Sequence, residues 1–379
     1  MSDLTRHATW REIHAQPAIW GGWAAALPVA DLRAWIAAQA VDEVWFCGAG
    51  SSDYVGQIVA AALEGAGRFR AIPTTDIVAR PNAYLTGRRP LVVNFGRSGN
   101  SAETIGLLDA LDALAPLAPR LNITCNAGGV LATRTPPFGG GNRVAGAGSA
   151  PGSAPAGAVP GAPADSQRVV VLPEATHDAG FAMTSSFTTM LLTALALFGP
   201  HGTAPWPGLA TTLASLLPHY AQSAEGPPPE RIVFVGSGPL AQAARECALK
   251  VMELTAGRIP ALWDSSLGFR HGPKSFVQPG TMIVTLLHPD PQTARYDRDL
   301  VAELRTQYPT TRVLSAGPGG DIAVSMPDAG LGAALLVPLA QIMAVMWSDR
   351  MGLNVDDPFA GQGTLSRVVT GVKLYPVAP

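Results

Sequence analysis

The sequence is poor in cysteine, in net charge and in long apolar runs, and each shortage excludes a class of protein. Its three cysteines, Cys47, Cys125 and Cys247, lie in apolar or helical patterns without paired spacing, so we expect reduced thiols rather than a disulfide framework. The formal net charge of -2 leaves no basic surface for nucleic acid or anionic lipid. No stretch approaches the roughly 18 uninterrupted apolar residues of a membrane span, and the N-terminus lacks the apolar core of a signal peptide. The sequence therefore predicts a cytoplasmic protein that binds neither nucleic acid nor membrane.

Metal-binding motifs are also missing. The seven histidines form no HxH or HExxH spacing, and no Cys/His cluster occurs, so we expect neither a metal nor another cofactor. What the chain does have is length and apolar content: 379 residues, of which 47% are hydrophobic, are enough for two or three well-packed domains.

The stretch VWFCGAGSSDYVG, residues 44–56, passes from an apolar run into glycine and serine. That order is typical of a buried strand, a tight turn and a helix start, where backbone N–H groups and the helix dipole favour an anion. Ser51 and Ser52 add hydroxyl donors, so we expect a phosphate here. The alternative is that glycine and serine serve chain geometry alone.

A second strand, LVVNF, runs into GRSGNSAET and predicts a second anion-binding turn. Arg97, Ser98 and Ser101 supply donors, and Glu103 stands in the first helical turn, where a carboxylate favours the dipole. If the two strands are parallel neighbours, both turns meet at the carboxyl edge of one sheet. Arg97 can then bind phosphate oxygens in a bidentate manner; the alternative is a surface charge in a flexible loop.

Thr184, Ser185 and Ser186 open a later helical pattern, FAMTSSFTTMLLTALALFG. They serve either as helix caps or as a third set of ligand donors. Upstream, residues 139–166 form a Gly/Ala/Pro/Ser tract too poor in large apolar groups to order itself. We interpret the tract as an insertion within the first domain, because strand and helix patterns resume after it without a new start signal.

The strand-turn pattern repeats after about 190 residues: RIVFVGSG echoes VWFCGAGS, and TMIVTLLHPD echoes PLVVNFGRSG. The repeat predicts an α/β protein of two tandem domains, each a parallel sheet flanked by helices on both faces. We place an N-terminal helical segment at residues 1–36, the first domain at 37–222, and the second domain with a C-terminal tail at 223–379.

The second copy of the pattern lacks the anion-binding residues of the first. Pro239 and Leu240 stand where hydroxyls would be needed, and His288 and Pro289 replace the Arg-Ser turn. We therefore expect one phosphate site per chain, in the first half.

The second half offers candidate acid–base residues instead. Glu246, Lys250 and Glu253 lie at spacings of four and three, hence on one helix face, and Glu253 falls in the last turn, where the dipole raises basicity. The alternative is a solvated Glu–Lys helix pair. His271 lies in a Gly/Pro-flanked loop suited to a proton donor, or is a loop histidine bonded to backbone.

These residues together resemble a known family. GAGSS, GRSGNS, the duplicated pattern, and CALKVMEL followed by RHGP resemble the double sugar isomerase (SIS) architecture of the isomerase half of glucosamine-6-phosphate synthase. The strings WREIHAQP, FAMTSSFT, ALKVMELTAG, SSLGFRHGPKS, YDRDL and SRVVTGVKLYP are similar to the galactosamine-6-phosphate deaminase/isomerase family of the AgaS type, often labelled tagatose-6-phosphate ketose/aldose isomerase. Only residues 139–166 fall outside the resemblance.

The resemblance implies a role for each matching residue. Glu253 would move a proton between C1 and C2 of the sugar, and His271, reaching in from a neighbouring subunit of a homo-oligomer with shared active sites, would open the ring. Lys373 is an unproven substitute for the terminal lysine of the synthase. The residues implied to hold the sugar phosphate or to line its pocket are Ser51, Ser52, Arg97, Ser98, Ser101, Thr184, Ser185 and Ser186.

The implied substrate is a phosphorylated amino sugar, and the implied reaction converts galactosamine 6-phosphate into tagatose 6-phosphate and ammonia. Two other functions use the same features. One is a non-deaminating sugar-phosphate isomerase or deglycase; the other is a sugar-phosphate-sensing regulator. A sensor does not require Glu253 or His271, and no basic helix-turn-helix segment is present.

Overall fold

The computed structural model describes residues 3–137, 143–145 and 165–377. The chain forms two compact units, each built around one parallel sheet. We call them the first-sheet unit (Gly22–His177, Thr189–Thr203 and Ser366–Pro379) and the second-sheet unit (Met1–Gly21, Asp178–Thr188 and Ala204–Leu365).

The secondary structure alternates between strands and helices, as the sequence predicts. The strands are β1 (Val44–Cys47), β2 (Phe69–Ala71), β3 (Leu91–Gly96), β4 (Arg120–Thr124), β5 (Arg143–Ala145), β6 (Gln167–Val171), β7 (Arg231–Gly236), β8 (Ala261–Ser265), β9 (Thr281–Leu286), β10 (Arg312–Gly317) and β11 (Ile322–Ala323). The helices are α1 (Ala8–Ala26), α2 (Val29–Ala38), α3 (Ser51–Ala62), α4 (Thr74–Ala79), α5 (Pro81–Leu85), α6 (Ala102–Leu114), α7 (Val130–Thr133), α8 (Ser185–Phe198), α9 (Trp206–Ser223), α10 (Pro239–Leu254), α11 (Pro291–Gln307) and α12 (Ala329–Arg350).

The first sheet has the strand order β2-β1-β3-β4-β6-β5, and all its pairings are parallel. Its central strands are buried, as in β3, where every residue is buried; a parallel sheet covered by helices has this pattern. Trp45 and Val92 of the strands pack on Ile77, Leu107 and Leu111 of the helices.

The second sheet has the order β11-β10-β9-β7-β8, again entirely parallel. Val233, Val235 and Ile283 pack on Phe269 and Leu300 on one side of it. The order β2-β1-β3-β4-β6 in the first sheet corresponds to β8-β7-β9-β10-β11 in the second. In both, the second of these five strands along the chain lies at the edge, the first strand lies beside it, and the third, fourth and fifth follow in turn. The predicted α/β fold of two parallel sheets flanked by helices is therefore confirmed, and the repeated strand order agrees with an internal duplication.

The domain limits remain a prediction. The compact units are discontinuous in sequence: the first 21 residues belong to the second-sheet unit, and Ser366–Pro379 belongs to the first-sheet unit. The predicted low-complexity insertion at residues 139–166 lies outside the described residues except for positions 143–145 and 165–166. Residues 143–145 form β5, which pairs with β6 at the edge of the first sheet.

One helix has the length and mean hydropathy of a membrane span, although Gln341 interrupts its apolar run. By length and composition, α12 is apolar enough to cross a membrane, but the apolar window is 100% buried inside the protein. A core helix of a soluble protein has the same composition, because every face of it meets other apolar side chains.

Candidate active site

The first predicted turn is a strand-to-helix junction in the first-sheet unit. Strand β1 ends at Cys47, and Ser51 and Ser52 are the first residues of α3, each only 5% exposed. Gly50 has a φ of +57°, which an L side chain rarely adopts, and a Cβ on Gly48 would lie 2.3 Å from the Ser52 carbonyl carbon. Glycine is therefore required for the backbone to turn this tightly at the start of a helix whose N–H groups suit an anion.

The second predicted turn follows β3. Ser101 is the N-cap of α6, and its Oγ accepts a hydrogen bond of 3.3 Å from the Thr104 N–H. Asn126, which follows β4, donates to the Ser98 carbonyl at 2.9 Å. Arg97 is 7% exposed. The turn is thus fixed from two sides, and the alternative of a surface charge in a flexible loop does not describe Arg97.

The two turns lie at the same edge of the sheet. Strands β1 and β3 pair in parallel, with Val44 opposite Leu91 and Cys47 opposite Asn94. Both strands therefore run to the same edge of the sheet, where β3 extends two residues beyond β1. The turns that follow at this edge carry Ser51, Ser52, Arg97, Ser98 and Ser101. The predicted convergence of the two turns is confirmed; binding of phosphate by these residues stays a prediction.

The hydroxyl residues at the start of α8 are bound to a carboxylate that the sequence analysis missed. Asp178 is 1% exposed and accepts from the backbone N–H groups of Thr184, Ser185 and Ser186 at 2.8, 3.1 and 3.1 Å. It also accepts from the three hydroxyls at 3.0, 2.5 and 2.5 Å. Six donors on one carboxylate hold this helix start in a single conformation. The three residues therefore take part in capping the helix, with Asp178 as the acceptor. That they line a ligand pocket stays a prediction.

The acidic face of α10 is an ion-paired cluster in the second-sheet unit. Lys250 and Glu246 have fully buried side chains, whereas the Glu253 side chain is 23% exposed. The Lys250 Nζ lies 3.4 Å from Glu246 and also pairs with Glu253. Burial by itself lowers the pKa of Lys250, but Glu246 and Glu253 outweigh it and the net pKa is raised. A solvated Glu–Lys pair is therefore the wrong interpretation, since the lysine is buried and stays protonated.

His271 lies in a loop that ion pairs hold to α11. It ends a 3-10 turn, Gly268–His271, and its side chain is exposed. On either side of it, Arg270 Nε lies 2.7 Å from Glu303, and Lys274 pairs with the same carboxylate. Hydrogen bonds from Lys274 and Arg270 lower the pKa of Glu303. Within the described part of its own chain, no hydrogen bond to the His271 ring is present.

Lys373 belongs to the first-sheet unit, in the tail that follows residue 365. Its Nζ lies 4.9 Å from the centroid of the Tyr375 ring. The tail forms one wall of a cavity of about 540 Å³ whose other walls are α4, α5 and the start of α6. Among the residues that the structure describes, no group of three His, Cys, Asp or Glu side chains could hold a metal ion.

The predicted site residues thus fall into two groups. The first-sheet unit carries Ser51, Ser52, Arg97, Ser98, Ser101 and Lys373, and the second-sheet unit carries Thr184, Ser185, Ser186, Glu253 and His271. The first group contains hydroxyl and guanidinium donors of the kind that suit a phosphate, and the second contains a carboxylate and an imidazole of the kind that acid–base chemistry needs.

Proteins similar in sequence to this chain are sugar-phosphate deaminases. No protein-family model matches the chain. The chain is 38% identical, over 349 residues, to D-galactosamine-6-phosphate deaminase AgaS from Escherichia coli, a match that covers 87% of this chain and 84% of that protein. It is 34% identical to the AgaS deaminase of Shewanella sp. strain ANA-3, over 87% of this chain and 80% of that protein.

Solved structures agree in fold. The structure of tagatose-6-phosphate ketose/aldose isomerase from Escherichia coli matches with a TM-score of 0.79 and 31% identity, over 99% of both chains. The C-terminal domain of glucosamine-fructose-6-phosphate aminotransferase from Francisella tularensis matches with a TM-score of 0.69 over 93% of this chain and 98% of that chain. At 17% identity the second match shows the shared fold alone.

Proposed function

The chain belongs to the AgaS family of galactosamine-6-phosphate deaminases, and from that premise we propose that it converts galactosamine 6-phosphate and water into tagatose 6-phosphate and ammonia. The observation that carries the proposal is the Lys250–Glu253 pair on α10, a carboxylate held beside a buried ammonium. A protein that only senses sugar phosphates has no need of such a pair.

The turns after β1 and β3 bind the phosphate. Ser51 and Ser52 offer hydroxyls at the start of α3, and the guanidinium of Arg97 is suited to two oxygens of one phosphate. The phosphate lies remote from the reacting carbons, so its binding energy positions the sugar without itself changing during reaction.

Glu253 acts as the general base. His271 assists opening of the pyranose, and Glu253 then removes the C2 proton of the open aldehyde while O1 is protonated, which leaves an enaminol. Return of the proton to C1 gives a C1 alcohol and a ketimine at C2. Water adds to the ketimine carbon, the C–N bond breaks, and ammonia leaves, so that the C2 ketone remains. Lys250 places a fixed positive charge beside the base during these steps.

His271 reaches the site of a neighbouring subunit in a homo-oligomer. Its exposed ring, on a loop fixed by Glu303, favours this arrangement over a role within its own unit. Thr184, Ser185 and Ser186 line the sugar pocket with their hydroxyl oxygens, and Asp178 keeps them in place. We place the enzyme in the cytoplasm.

An ammonia-release assay tests the proposal. Purified protein is given galactosamine 6-phosphate, N-acetylgalactosamine 6-phosphate and glucosamine 6-phosphate, and both ammonia and ketose are measured. We expect stoichiometric ammonia and tagatose 6-phosphate from the first substrate. Ketose formation without ammonia would support a non-deaminating isomerase, and binding without either product would support a sensor.

A further inference from the structure

The C-terminal tail contacts the phosphate-binding turn through its main chain. The Arg97 Nη2 donates to the carbonyl oxygen of Arg367 at 3.2 Å. Two residues further along, the carbonyl of Val369 accepts from the Ala102 N–H at 3.1 Å. Ala102 is the first residue of α6, so this bond satisfies one of the N–H groups that a helix start leaves without an intrahelical partner.

The end of the tail is anchored on the same unit. Val377 packs against the core cluster that includes Ile77, Leu107 and Leu111. Leu374 lies on α6 so closely that a Cβ on Gly106 would be 3.1 Å from its Cδ2. Residues 366–377 thus run from the phosphate turn to an apolar anchor: one end contacts Arg97 and the first residue of α6, and the other end packs on α6.

A guanidinium is a planar fork with a fixed donor geometry, so a carbonyl bound at one end of the fork restricts the rotation of the whole group. The phosphate contact of Arg97 depends on that plane, because bidentate binding tolerates little rotation. A side chain as long as arginine otherwise loses considerable rotamer entropy when it binds. Prior ordering by the tail reduces that loss, which is preorganisation.

We propose that residues 366–377 are a positioning strap, in which the carbonyls of Arg367 and Val369 hold Arg97 and the start of α6 in the conformation that binds the substrate phosphate. The inference rests on the proposed function of the phosphate turn. It assigns the role to main-chain atoms, so it differs from a catalytic contribution by Lys373. Arg367 and Val369 are positioning residues, and Leu374 and Val377 are the anchors of the strap.

The test removes the strap in two ways. One variant ends after Leu365; the other, Leu374→Asp with Val377→Asp, keeps the tail but disrupts its anchors. Galactitol 6-phosphate, which has no aldehyde and therefore cannot be isomerised, is the calorimetric probe, and galactosamine 6-phosphate is the substrate. We expect Kd and KM to rise on the order of tenfold or more, as for a lost charged hydrogen bond, with kcat changed much less.

A readout independent of catalysis is hydrogen exchange at the Ala102 amide, which should accelerate in both variants. Leu365→Ser, at an exposed position that immediately precedes the strap, is the matched control and should bind the probe as the wild type does. A synthetic peptide of residues 366–379 should tighten binding by the truncated protein. If the larger changes unfold the protein, Leu374→Ala provides the milder form of the same test.

Each outcome has a distinct meaning. Wild-type protein that binds no sugar phosphate would overturn the proposed function. Wild-type protein that binds, with strapless variants that bind equally well, would overturn the strap alone. A fall in kcat at constant KM would assign the tail to the chemical step and also overturn the strap.

Discussion

The two sheets have the same strand order, but the side chains at their carboxyl edges differ. At the edge of the first sheet lie the glycine-serine turn before α3 and the Arg97 turn before α6. At the edge of the second sheet, hydrogen bonds converge on the buried carboxylate of Asp297, which belongs to α11. It accepts from Ser237 Oγ at 2.6 Å, Ser266 Oγ at 2.5 Å and the His288 N–H at 2.8 Å.

Ser237, Ser266 and His288 follow the adjacent strands β7, β8 and β9, which is where an α/β sheet gathers an external ligand. At the carboxyl edge of the second sheet, the Asp297 carboxylate therefore occupies the position where an external anion would bind. The second copy of the duplicated fold thus keeps the strand arrangement of the first, while the side chain of Asp297 satisfies the hydrogen-bond donors at its carboxyl edge. It supports the prediction of one phosphate site per chain.

We expect the largest effect from changing Glu253, the proposed general base. Glu253→Gln keeps the shape of the side chain but cannot accept the C2 proton, so kcat should fall by about 10²–10⁴-fold, as for a lost general base, with sugar-phosphate binding retained. Solvent deuterium exchange into the substrate, followed by NMR, measures the proton step. Glu225→Gln, an exposed change in the same unit, is the control. Exchange at the wild-type rate in the Glu253 variant would remove this residue from the mechanism.

Removing the internal anion of the second sheet should destabilise the protein. Asp297→Ala leaves the buried Ser266 hydroxyl without its acceptor, together with the half-buried Ser237 hydroxyl and His288 N–H. A buried donor left unsatisfied costs about 1–3 kcal/mol, so loss of the Ser266 bond alone should lower the free energy of unfolding by that amount, and the other two donors should add to it. Urea denaturation measures it, with Asp299→Asn, an exposed neighbour on α11, as the control.

Inorganic phosphate sharpens this test. It should raise the Tm of the Asp297→Ala protein by more than it raises that of the wild type, because the vacated edge then accepts an external anion. Equal stability of the Asp297 variant and the wild type would contradict our interpretation of this edge.

At the first sheet, Arg97→Ala should raise KM far more than it lowers kcat, because the phosphate is bound about equally in the ground and transition states. The expected loss is about 1.5–3 kcal/mol of binding, typical of a hydrogen bond to a charged group. Steady-state kinetics measure it, and Arg68→Ala, an exposed position in the same unit, is the control. An unchanged KM would remove the phosphate from this turn.

The smallest effect concerns the loop of His271. Glu303→Gln removes the ion pairs to Arg270 and Lys274, but these groups are each 20–26% exposed, so the stability loss should stay below about 1 kcal/mol. Because the pKa of Glu303 is lowered in the folded protein, its contribution is present above the unfolded-state pKa and disappears as the pH falls through the lowered value. Urea denaturation of both proteins should show a difference at neutral pH that vanishes in acid; a difference independent of pH would exclude the ion pairs as its source.

Several features of both halves could be predicted from local sequence. The apolar runs at 44–47 and 91–95 became β1 and β3, and Ser101 became a helix cap. The spacing of Glu246, Lys250 and Glu253 placed them on one face of α10, as helical periodicity requires. These features depend on residues within one or two turns of each other.

The Asp178 cap and the burial of Lys250 could not be predicted from local sequence. The Asp178 cap lies outside the usual capping position, six residues before Thr184, so a search for adjacent cap residues passes over it. Burial of Lys250 could not be distinguished from exposure, because its pairing pattern with Glu246 and Glu253 is also that of a solvent-facing helix.

By itself, the sequence determined the order of strands, turns and helices and the chemical types placed at each turn, because backbone geometry and side-chain periodicity are short-range properties. Only the tertiary structure decided which donors meet an internal carboxylate, which charges lose their water, and that a carbonyl 270 positions further along the chain meets Arg97. Such contacts depend on how sheets and helices pack, and packing brings together residues whose separation along the chain carries no local signal.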